Sequence, residues 1–189
     1  MSLPGATSMK ETFRGPLGSH RNYLVHVALP NCTDYLWLKK GNQEQGRSGT
    51  CDKYKEFRYF LNAVESFNNI LDYFYFEHED RIKRGSVREF RKAIHDKYPE
   101  LGELAELANA YKHCVRERNG KKNEALPWAR DLQRPTLDIQ IKLGASQPSV
   151  AVNYDFPWPI EEHEAKLYKA FDFWLGYHNN PRTNELITT

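Results

Sequence analysis

The sequence predicts a mainly α protein: a helical bundle that leads into a C-terminal two-stranded antiparallel hairpin and a final helix. Three observations predict it. An apolar stripe runs from Phe57 to His78 at alternating steps of three and four residues. After about residue 135 the apolar period changes to strict alternation. The chain has 189 residues, 40% hydrophobic and 28% charged, which suits one domain with a real core. Residues 1–18, rich in Gly, Pro and Ser, read as a flexible lead. Residues 19–189 read as a single helical domain with a hairpin-helix extension from about 135.

The first apolar stretch is RNYLVHVALPNCTDYLWLKK, Arg21 to Lys40, divided by Pro30. Its second half predicts a short helix capped by Asn31 or Thr33 and stopped by Gly41. Residues 21–29 fit helix or strand, because a short apolar run does not decide between them. GNQEQGRSGT, with three glycines, reads as a loop.

From about Asp52 a long helix is expected. Phe57, Phe60, Val64, Phe67, Leu71, Phe74 and His78 share one stripe, and Leu61, Ile70 and Tyr73 widen it. So wide an aromatic face predicts a central helix contacted from several sides.

RIKRGSVREFRKAIHDK, Arg81 to Lys97, holds seven Lys or Arg against two acids. Ser86 is suited to cap a helix there, with Phe90 and Ile94 facing inward. Pro99 opens the next helix, where Leu101, Leu104, Leu107, Ala108, Tyr111 and Val115 keep the period up to Asn119-Gly120. In TLDIQIKL and SVAVNYDF, Leu137, Ile139, Ile141 and Leu143, then Val150, Val152, Tyr154 and Phe156, alternate with polar neighbours across GASQP. That pattern predicts a hairpin with one apolar face, which must lie on helices because two strands alone are marginal. The last helix is expected from Pro159, with Glu161, Glu162 and Glu164 at its positive end and Leu167, Phe171 and Trp174 on its buried side.

Several function classes lack their residues. No apolar run approaches the roughly 18 residues of a membrane span, and the N-terminal stretch lacks the apolar core of a secretory signal. A cytoplasmic protein without a membrane partner is the expectation. Cys32, Cys51 and Cys114 are odd in number and form no CxxC pair, which suits reduced thiols. No HExxH, ExxH or Cys/His cluster is present, and His78 in EHED sits among neighbours that diverge on a helix. No metal is expected, and no cofactor, since GxGxxG, P-loop and Gly-x-Ser-x-Gly motifs are missing as well.

The net charge of +2 gives no global field, so any nucleic-acid contact needs a local patch. Two patches present themselves. Arg84, Arg88, Arg91 and Lys92 form a cationic surface on the basic helix, which suits salt-sensitive phosphate contact. In ELANAYKHCVRERNG, His113 lies about 160° from the apolar Tyr111 at 100° per residue. Glu106, Asn109, His113 and Arg116 therefore share an outward stripe, with Lys112 to one side. Such a stripe faces either water or a phosphate.

A long aromatic helix, a basic helix and then ELANAYKH together resemble bacterial helical domains of the HEPN type (higher eukaryotes and prokaryotes nucleotide-binding), over about residues 52–120. The resemblance implies a helical bundle. Many such proteins are metal-independent ribonucleases carrying an Arg, four to six residues, then a His. The Arg steadies the strained phosphate and the His assists attack by the ribose 2′-hydroxyl. Other members keep the helices without the chemistry. RNYLVH, Arg21 to His26, and REFRKAIH, Arg88 to His95, fit that spacing. Arg88 and His95 lie on one helix face, whereas Arg21 and His26 point about 140° apart on a straight helix. The resemblance thus implies a binding or assembly module, with RNA and a second copy of the chain as partner classes. Its alternative is an endoribonuclease with Arg88, His95 and His113 as catalytic candidates, and Arg84, Arg91, Lys92, Asn109, Lys112 and Arg116 holding the nucleic acid.

Overall fold

In the computed structural model, residues 17–47, 49–83, 85–112 and 160–189 are described, together with the backbone of the strand segments. The helices are α1 (His20–Tyr23), a π-helical turn (Leu24–Ala28), α2 (Leu29–Glu44), α3 (Thr50–Glu77), α4 (Val87–Lys97), α5 (Pro99–Lys112), α6 (Ile160–Asn179) and α7 (Thr183–Ile187). The fold is mainly α. No helix among the described residues is long and apolar enough to cross a membrane.

Residues 21–29 are helical, and Pro30 does not break them. A proline ring clashes with the carbonyl four residues back and supplies no N–H. The chain accommodates it by widening into the π turn, where the Leu29 N–H donates to the Leu24 carbonyl, five residues back. The real start lies earlier, at Ser19, whose hydroxyl accepts from the Asn22 N–H at 3.1 Å. The expected caps at Asn31 and Thr33 and the stop at Gly41 are therefore corrected. Asn31 donates to the Ser66 hydroxyl, Thr33 donates back to the Leu29 carbonyl, and α2 runs past Gly41 to Glu44. Gly41 sits within the helix, its carbonyl accepting from the Gln45 N–H at 3.1 Å. The turn comes at Gly46, whose φ of 60° is a conformation that glycine adopts without steric cost.

The 28-residue α3 is the axle of the bundle and touches α1, α2, α4, α5 and α6. Phe60, Val64, Phe67, Ile70, Leu71 and Phe74 are buried along it, while Phe57 and Leu61 are partly covered. Its stripe ends as the sequence predicts, because His78 is the C-cap. On α4, Ser86 accepts from the Glu89 N–H at 3.2 Å, and Phe90 and Ile94 are buried. The Phe90 ring stacks on Phe74 with centroids 5.8 Å apart. From α5, Leu101, Leu104, Leu107 and Ala108 enter the core, and from α6 Leu167 and Trp174 do.

Glu164 departs from its expected part at the positive end of α6. It lies beyond the first turn and is buried, accepting from Tyr35, Lys39 (2.5 Å) and Tyr168 (3.1 Å). Helix α5 is described to Lys112. Its expected course to Gly120 gives way at Glu117–Arg118, whose extended backbone pairs with Lys121–Lys122. The backbone of Leu137–Leu143 pairs antiparallel with Pro148–Tyr154, Leu137 opposite Tyr154 and Ile141 opposite Val150. The side chains of these segments, and the lead 1–16, lie outside the described residues.

Candidate functional site

A groove of about 1060 Å³ opens between α3, α4 and α5. Its shape follows from the helical periods. Phe90 and Ile94 anchor one face of α4, which leaves Arg88, Arg91, Lys92 and His95 along the face beside them. Leu104, Leu107 and Ala108 anchor α5, which leaves Glu106, Asn109 and Lys112 toward the same opening. Asn68, Asn69 and Asp72 of α3 line the floor.

The groove therefore gathers every described residue of the candidate set: Arg88, Arg91, Lys92, His95, Asn109 and Lys112. Arg84, His113 and Arg116 lie outside the described residues. What the sequence did not show is that two of these cations are already committed. Arg91 donates to Asp72 at 2.8 Å and to the Asn68 side-chain carbonyl, and is only 19% exposed. It ties α4 to α3. Lys112 pairs with Glu65 at 2.6 Å. Arg88 and Lys92 are exposed and form no ion pair among the described residues. Asp72, Glu89, Asp96 and Glu106 also line the groove, so its charge is mixed.

His95 sits half-buried on the groove wall. Its Nε2 is shielded from water and has no hydrogen-bond partner among the described residues. Burial lowers its pKa first and the Arg91 charge next, against the opposing pull of Glu106 and Asp96. The ring is thus neutral at pH 7, the form that accepts a proton. Gly102 lets α5 come this close, since a Cβ there would stand 3.2 Å from the His95 Cβ.

A second polar cluster lies where the C-terminus of α3 meets α1. The Glu77 carboxylate accepts from the His20 backbone N–H (2.8 Å) and from its Nδ1 (2.7 Å). His20 Nε2 meets the Tyr177 hydroxyl at 2.8 Å, which in turn meets Thr183 Oγ1 at 2.9 Å. Burial is the largest influence on His20 and lowers its pKa despite Glu77, so this contact joins a neutral ring to a carboxylate. His78 lies beside it, 5.4 Å from His20 between ring centroids. The sequence carried no sign of this cluster, because its partners come from opposite ends of the chain.

Fold and site together define a class: a helical bundle with a mixed-charge groove walled by a basic helix. Compared with known proteins, the chain matches no family model, no curated protein and no solved structure.

Proposed function

We propose that the chain is a HEPN-like cytoplasmic binding module whose α3–α4–α5 groove takes a phosphate-bearing ligand, with RNA as the ligand class, and that it acts without catalysis. A single observation carries the reading: six candidate side chains, selected from two separate stretches, line one groove. Arg88 and Lys92 supply its uncommitted charge, Asn109 a neutral donor, and Arg91 a rigid wall. The mixed lining suits modest, salt-sensitive affinity. In the same proposal the hairpin rests its apolar face on the bundle, and a second copy of the chain is a partner whose presence light scattering would reveal.

The test is fluorescence anisotropy of a labelled single-stranded RNA over a salt series. Wild type is expected to bind with an affinity that falls steeply with salt. Replacing both Arg88 and Lys92 by Ala should flatten the slope of log K against log salt by roughly 1.4, at about 0.7 per phosphate contact on a single strand. Binding that ignores salt, or a slope unchanged in the variant, would overturn the reading.

One observation favours a second reading, a metal-independent endoribonuclease. His95, neutral and with no partner for its Nε2 among the described residues, shares the groove with exposed Arg88. There His95 would take the 2′-hydroxyl proton while Arg88 steadied the phosphate. RNA cleavage in EDTA that His95→Ala abolishes with folding intact would replace the binding reading by this one.

A further inference from the structure

We propose that His20, Glu77 and His78 form a binding site for a divalent transition metal of the Zn²⁺ class, stapling α1 to the end of α3.

The donor set is two imidazoles and one carboxylate, a combination that zinc accepts in tetrahedral geometry with one position left open. One ligand atom from each residue lies within 4.8 Å of the other two. An ion about 2.0–2.2 Å from each donor needs them roughly 3.3 Å apart. The His20–Glu77 pair at 2.7 Å must open slightly, and His78 must swing inward. The backbone permits that swing. Neighbouring residues inside a helix point about 100° apart and cannot share an ion. His78, however, is the C-cap, with φ −118° and ψ 19°, so its side chain has left the helical course that Glu77 still follows.

Three further features fit a cation. His78 Nε2 is shielded from water without a hydrogen-bond partner among the described residues, an imidazole nitrogen whose lone pair or proton is otherwise wasted. The C-terminus of a 28-residue helix presents its partial negative charge here. The Glu77 side chain is 34% exposed, which leaves the ion a path from solvent.

The hydrogen-bond chain behind His20 also suits ligation. Without metal, the carboxylate can only accept, so His20 carries its proton on Nδ1 and its Nε2 accepts from Tyr177. With metal on Nδ1, the proton moves to Nε2, which donates to the Tyr177 oxygen, while the Tyr177 hydroxyl donates to Thr183. The neutral ring keeps one proton throughout. A partner that fixes the far nitrogen of a ligating histidine is what metal sites ordinarily have.

The test uses the untagged full chain with Zn²⁺ in a thermal melt, and Co²⁺ as a spectroscopic probe. At a free Zn²⁺ concentration about a hundredfold above Kd, the midpoint should rise by roughly 5–10 °C. Co²⁺ should show the visible absorption of a tetrahedral site. His78→Ala changes a partly exposed terminal residue and should fold, yet lose both signals. Glu77→Gln should weaken them, and His95→Ala should retain them. An unshifted midpoint, signals that persist in His78→Ala, or signals lost in His95→Ala would overturn the proposal.

Discussion

The residues that decide most in this bundle are polar ones inside it. Glu164 is 8% exposed and holds Lys39 at 2.5 Å while accepting from Tyr35 and Tyr168. Burial, followed by the Glu164 contact, raises the Tyr35 pKa, so its hydroxyl stays protonated and donates. Removing the carboxylate would strand the Lys39 ammonium, itself only 18% exposed. Breaking a buried pair from one side typically costs about 3–5 kcal/mol. Glu164→Ala should therefore lower urea-unfolding stability by about that much. Lys39→Met combined with it should recover part of the loss. Equal stability of Glu164→Ala and wild type would show that the pair is idle.

At the scale of elements, packing is governed by how closely helices approach. The α4–α5 contact depends on Gly102, where even a Cβ would press on His95 at 3.2 Å. Gly102→Val adds a branched side chain into that gap. Its strain should outweigh the helix propensity gained and cost about 1–3 kcal/mol in chemical unfolding. A neutral or stabilising result would mean that the His95 ring yields easily, and that the groove wall is softer than its geometry implies. The π turn before Pro30 is the other element-level device. It keeps α1 and α2 one continuous rod across a residue that ordinarily ends a helix. The rod carries His20 to the end of α3 and Lys39 to α6.

For the whole molecule, the histidines set the response to acid. His20, His78, His95 and His163 all have pKa values lowered from 6.5, with burial the largest cause in each. Between each lowered folded value and 6.5, the unfolded chain binds more protons than the folded one, so stability rises with pH there. It is fully present above 6.5 and declines as pH falls below it. Glu77 extends the decline: burial pushes its pKa up, but the His20 hydrogen bonds together with the nearby His20 and His78 rings hold it below 4.5. Urea midpoints should hold level from about pH 7.5 to 6.5 and fall steadily from there to about pH 5. A flat profile would mean that these rings find solvent or partners when protonated.

The helices were legible because helix signals are local. Phe57 to His78 carry their period within one element, and Ser86 caps a turn three residues away. Pro30 misled at the same scale, since the sequence marks the missing N–H without showing the wider turn that absorbs it. The groove was half legible. The cationic face of α4 and the outward stripe of α5 could be read, whereas the pairing of Arg91 with Asp72 and of Lys112 with Glu65 could not.

By itself, then, the sequence determined the class of fold and which face of each main helix is buried, because both follow from spacing along a single chain. Only the tertiary structure decided which polar groups meet. His20 finds Glu77 across 57 residues, and Lys39 finds Glu164 across 125. Such pairs leave no periodic trace, because the bundle brings them together to satisfy buried charge and hydrogen bonds once its apolar faces have closed.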